Sequence, residues 1–209
     1  SLKELPHTIA VLGTRDAEGV GHFLARISRE VEARKELFRT SGVSTMGEYR
    51  TRLRNNGDET KGALPRIVIL LDSFAGYVAS FDKIEYGAWV DAIQRIIADG
   101  RPLGIHIIVT ADRRGAIPFN MAGLVETKLI LKMSDPDELS SLGVPTKIAK
   151  EIKLSPGRAM FKNELELQIP IVSNNPEGSA QVLQIQKIAQ YLTSLHGDSH
   201  IVKAASLPE

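Results

Sequence analysis

In this 209-residue sequence, side chains with chemical potential stand after two apolar runs. The first run, Arg66-Ile67-Val68-Ile69-Leu70-Leu71, leads into Asp72-Ser73. An apolar strand ending on aspartate has the form of a Walker B segment, whose carboxylate stands at the strand tip beside a nucleotide's magnesium ion. The plainer reading is that Asp72 ends a strand and caps the next element. An active ATPase usually carries glutamate next, to polarise the attacking water, whereas Ser73 cannot act as a general base. The second run, Ile105-His106-Ile107-Ile108-Val109, leads into Thr110-Ala111-Asp112-Arg113-Arg114. A polar residue at this tip could sense a terminal phosphate, and an arginine could reach phosphate or a neighbouring subunit. The alternative is a solvated charged loop.

Other chemistries find little support. GxxxxGK[ST] occurs nowhere in the sequence. Gly13-Thr14-Arg15-Asp16-Ala17-Glu18-Gly19-Val20-Gly21 comes after a strand-like run and precedes a helical one. It lacks the lysine and hydroxyl of a phosphate cradle, and its acidic pair would repel phosphate. We read it as a strand-to-helix turn. With no cysteine, thiol nucleophiles, disulfides and zinc-thiolate sites are excluded. His7, His22, His106, His196 and His200 show no metal-ligand spacing, and no serine has a hydrolase-elbow context. Lys and Arg total 26 and Asp and Glu 25, so no bulk polycation grips nucleic acid by charge alone, although a local basic patch could.

Alternating strand-like and helix-like segments predict an α/β layered domain. Residues 8–12 and 105–109 read as strands, and 66–71 reads as a strand apolar on both faces, as at the centre of a parallel sheet. Residues 128–132 read as a third central strand. A long amphipathic helix is predicted over 18–40, with Arg26, Arg29, Arg34 and Arg39 on an ion-paired, solvated face. Further helices are predicted over 44–54 (N-capped by Ser44), 84–100 and 177–195, with short pieces at 135–141 and 145–152. Residues 55–63 read as a mobile loop. Residues 158–161 and 165–169 read as a C-terminal β-hairpin turning at Lys162-Asn163, and 197–209 as a tail or linker.

Several of these pieces occur together, in order, in one family. They are Leu5-Pro6-His7, ISREVEARKELF, GEYR, LPRIVILLD, GRPLGIHIIVTADR, KLILKMSDPDE and PGRAMF. The arrangement resembles the FtsK/SpoIIIE group of RecA-like ATPases, and most closely the tandem motor domains of EccC/EssC type VII secretion proteins. The resemblance covers roughly Leu5 to Ser173. It implies a RecA-like P-loop NTPase core, mostly parallel sheet flanked by helices, in one domain over 1–196. Residue by residue, it puts Asp72 at the Walker B aspartate, with magnesium contact, and Ser73 at the glutamate position, expected inactive. It matches Thr110 and Arg113 to the nucleotide-binding threonine and arginine after the next strand. The family's Walker A lies upstream of Leu-Pro-His, so the chain is expected to begin after it. ATP and Mg2+ are the implied cofactors of the parent domain, with none bindable by these residues alone. The implied function is a degenerate ATPase domain that regulates a secretion motor or docks its substrate. The alternative is an active DNA translocase, and a third reading is a non-enzymatic interaction domain. Implied partners are neighbouring ATPase domains and helical secretion substrates, or DNA in the alternative. The implied location is the cytoplasmic side of a bacterial membrane, in a membrane-anchored parent.

Overall fold

The computed structural model describes residues 2–58, 64–133, 135–161 and 165–196. The chain divides into two compact units, Gly21–Lys128 and a second made of Ser1–Val20 with Leu129–Glu209.

The Gly21–Lys128 unit is built on two parallel strands, β1 (Ile67–Leu71) and β2 (Ile105–Val109), in register from Ile67 opposite Ile105 to Leu71 opposite Val109. Most of the long helix α1 (Ala17–Thr40) belongs to it. Leu24, Ile27, Val31 and Phe38 recur at helical spacing on α1 and are buried. α1 ends just before Gly42, whose φ of +61° suits a residue without a Cβ. Next comes α2 (Met46–Asn55). Its N-cap is Thr45, not Ser44: Glu48 N–H donates to Thr45 Oγ1 at 3.2 Å, and the Ser44 N–H donates to Glu48 Oε2 at 2.7 Å. The capping signature was Thr45-x-x-Glu48, one residue beyond Ser44.

After β1 come α3 (Phe74–Phe81) and α4 (Ala88–Asp99), the latter packed on β2. Phe74, Tyr77, Phe81 and Trp89 form a chain of ring contacts with centroids 5.0–6.4 Å apart. The helix expected from residue 84 starts only at Ala88. Glu85, Tyr86 and Gly87 before it are all left-handed, with φ of 48°, 55° and 87°. A short helix, α5 (Phe119–Ala122), lies beyond β2 in the chain.

The other unit carries β3 (Leu129–Leu131), α6 (Pro136–Ser141), α7 (Thr146–Glu151), β4 (Arg158–Phe161), β5 (Leu165–Gln168) and α8 (Gly178–His196). The C-terminal hairpin is present as antiparallel β4 and β5. Its turn at Lys162-Asn163 and the tail over 197–209 lie outside the described residues, as do positions 59–63 of the expected mobile loop. Ile130 and Met160 on one sheet face pack with Leu139, Val144, Ala149 and Leu154 into a separate core.

Two further expectations are corrected. The fold is not mostly parallel sheet among the described residues. Only β1 and β2 run parallel, and β3 pairs antiparallel with β4, Ile130 opposite Met160. A strand's own composition encodes burial but not which neighbour it takes. Residues 8–12 form no strand, because no described strand pairs with them, and Val11 is exposed.

Candidate functional site

β1 and β2 end side by side, so the residues after them meet. Thr110 N–H donates to Leu71 O at 3.0 Å and Phe74 N–H donates to Thr110 O at 3.0 Å, extending the ladder past both strands. Thr110 Oγ1 donates to Asp72 Oδ1 at 2.6 Å and accepts from Ser73 N–H at 2.8 Å. The hydroxyl thus has one role in each direction, which fixes its rotamer and orients the carboxylate. Asp72 Oδ2 takes no hydrogen bond from the described residues, and the side chain is exposed.

Ser73 is left-handed, with φ 60° and ψ 85°, and its Oγ accepts from Gly76 N–H at 3.2 Å as the N-cap of α3. It is Ser73, not Asp72, that caps the next helix. A left-handed non-glycine residue costs about 1–2 kcal/mol, offset here by the cap and by the hydrogen bond to Thr110. Sequence reasoning missed both α3 and this role. Phe74, Tyr77, Val78 and Phe81 stand at helical spacing after a serine, and that pattern was the available signal.

The structure therefore brings Asp72, Ser73 and Thr110 together. Arg113 is not drawn into the cluster. It is exposed, in extended backbone at φ −154° and ψ 157°, and among the described residues its side chain makes no hydrogen bond or ion pair.

Chemically, the tip offers one oriented carboxylate with an open oxygen, suited to a magnesium ion carried by a nucleotide. Ser73, a neutral hydroxyl whose oxygen already accepts from Gly76 N–H, is not itself a general base. Among the described residues no three His, Asp or Glu side chains gather into a metal site of their own. The residues thus fit the metal side of a bound nucleotide, whereas a phosphate-cradle motif is absent from the sequence.

At the other end of the strands lies a buried cation, where the sequence pattern predicts a solvated one. Arg34 of α1 is 1% exposed. Its guanidinium donates to Glu30 Oε1 at 2.7 Å, Leu103 O at 2.8 Å and Pro65 O at 2.9 Å. It ties α1 to the segments leading into β1 and β2.

Residues 1–161 match the model of the FtsK/SpoIIIE family. The chain is 26% identical over 183 residues to the ESX secretion system protein EccC of Thermomonospora curvata, covering 87% of this chain and 13% of that protein. It is 24% identical to the ESX-1 protein EccCb1 of Mycolicibacterium smegmatis, covering 94% and 32% respectively. The chain thus spans less than a third of the length of either relative. Among solved structures it is similar to EssC (ATPases 2 and 3) from Geobacillus thermodenitrificans, with a TM-score of 0.79, 25% identity and coverage of 99% of this chain and 37% of that one. EccC of T. curvata (ATPases 2 and 3), solved in complex with a signal sequence peptide, has a TM-score of 0.76 at 24% identity, with coverage of 92% and 34%. With about three quarters of its residues matched by the family model, the chain belongs to the FtsK/SpoIIIE family as an ATPase domain closely related to the motor domains of EccC/EssC type VII secretion proteins.

Proposed function

We propose that this domain is a degenerate ATPase module of a type VII secretion motor. It holds nucleotide at the Asp72–Thr110 tip with weak or no hydrolysis, and it regulates the motor or docks secreted substrate. The observation that carries the reading is Ser73: the residue after the Walker B aspartate has no basic side chain, and its oxygen is already engaged with Gly76 N–H. Asp72 keeps an oriented carboxylate, which supports binding of Mg-nucleotide without turnover. Arg113, exposed near the same strand end, is available to meet phosphate or a neighbouring subunit.

Parallel strands occur almost only with both faces covered. Yet Val68, Leu70 and Ile108, on one face of the β1–β2 pair, are 57%, 61% and 56% exposed. This supports a further packing layer over that face in the working motor. The partners in this reading are adjoining ATPase domains, and the peptide-bound EccC relative supports substrate docking by domains of this kind. No described helix is long and apolar enough to cross a membrane. In this reading the domain works on the cytoplasmic side of a membrane-anchored parent.

Binding is tested by melting the full-length polypeptide that carries these residues with and without Mg-ATP. A ligand at 100 times its Kd stabilises by about 2.7 kcal/mol. We expect a rise in Tm for this domain's transition that is lost in Asp72→Ala. A transition indifferent to Mg-ATP would reject nucleotide binding and favour a pure interaction domain.

A further inference from the structure

A second site stands at the opposite pole of the parallel pair. A cavity of about 500 Å³ opens at the N-terminal ends of β1 and β2, lined by Thr45, Gly47, Arg66, Arg101, Gly104 and His106. It lies six residues along β1 from Asp72, roughly 20 Å at about 3.3 Å per residue. Three residues whose side chains can donate line it from separate segments. Arg66 comes from the residue before β1, Arg101 from the turn before β2, and His106 from β2 itself. No carboxylate lines it. Arg66 makes no ion pair among the described residues, and Arg101 pairs with Glu126, which stands outside the lining.

The walls supply further donors. Thr45 Oγ1 accepts from Glu48 N–H, leaving its proton to donate outward. Gly47, at the second position of α2, has no intrahelical acceptor for its N–H. The floor is tightly built: Gly104 has φ +75°, and a Cβ there would fall 2.7 Å from Met46 Cε, while Met46 N–H donates to Pro102 O at 2.8 Å. This packing keeps the Arg101-bearing segment next to α2.

We propose that this cavity binds a phosphate group, free or carried on a small molecule, with Arg66 and Arg101 as its principal donors and His106 as a third. Guanidinium forks match phosphate oxygens bidentately; no carboxylate lines the cavity itself, and a phosphate would compete with Glu126 for Arg101.

The test uses the intact chain labelled with 15N. It is titrated separately with inorganic phosphate and with glycerol phosphate, against sodium chloride at matched ionic strength. We expect saturable amide shifts at Gly47, Arg66 and His106 with one or both phosphates and none with chloride. Saturation by only one of the two identifies the source of the group. Arg66→Ala and Arg101→Ala should each weaken binding roughly tenfold, about 1.4 kcal/mol. Glu126→Gln, which releases Arg101, should tighten it. The Ser73 and Thr110 amides report that each variant remains folded. Shifts that fail to saturate, that chloride reproduces, or that survive the Arg66→Ala/Arg101→Ala double substitution would overturn the assignment.

Discussion

At the C-terminal ends of β1 and β2, an exposed carboxylate, a threonine hydroxyl and a serine amide hold one another in place. At the N-terminal ends, a buried arginine holds two backbone carbonyls, and cationic side chains surround a cavity. The same two strands therefore carry an exposed carboxylate–hydroxyl pair at one end and a buried guanidinium at the other. Stability resides where a polar group cannot reach water, because an orphaned buried partner is costly. Asp72, Ser73 and Thr110 can all reach water, so their identities are freer to serve a ligand. The arginine strap at one pole thus sets the frame on which the other pole can vary.

Arg34→Met should produce the largest effect. It strands the buried Leu103 O and removes the donors to Pro65 O and Glu30, a loss of about 3 kcal/mol. Denaturant unfolding should show it, with Arg34→Lys recovering only part, because a lysine lacks the planar fork that reaches Glu30 and both carbonyls from three nitrogens. A loss of under about 0.5 kcal/mol would remove the contrast between the poles.

The scaffold next to the acidic pole is probed by pH. Burial pushes the Tyr77 hydroxyl up to about 12 from 10.0, and it donates to Trp89 O at 2.9 Å. Below pH 10 the phenol is neutral in both folded and unfolded chains, and its full contribution is present. Between pH 10 and 12 the unfolded chain loses the proton first, so stability falls, by about 2 kcal/mol or less. Melts across this window should show a steeper decline for the native chain than for Tyr77→Phe.

Thr110→Val keeps the shape but removes the donor to Asp72 and the acceptor for Ser73 N–H. At this exposed pole we expect a loss of about 1 kcal/mol, with faster hydrogen exchange at the Ser73 amide. Tyr86→Gly should act in the opposite direction. Tyr86 is fully exposed and left-handed, so glycine relieves strain without losing packing, a gain of about 0.5–1 kcal/mol in the same unfolding assay.

The same physics explains which parts were legible in the sequence. Apolar runs marked β1 and β2, and the aspartate and threonine after them could be placed together because parallel strands end at one edge. α1 and the β4–β5 hairpin were legible from period and turn chemistry. Arg34 was misplaced because charge was read before geometry. It lies seven residues from Ile27, three from Val31 and four from Phe38, squarely on the buried stripe. The pairing of β3 with β4 could not be read, since a strand's periodicity does not name its neighbour. Ser73 as a left-handed cap was hidden because helix α3 after it went unassigned.

Steady-state ATP hydrolysis by the full-length polypeptide carrying these residues, native against Asp72→Asn, tests the degenerate-module reading most directly. A degenerate module predicts that turnover persists in Asp72→Asn, altered only through any regulation this site exerts and not abolished. Motor-like turnover that collapses by orders of magnitude in Asp72→Asn would contradict that reading and assign hydrolysis to this site.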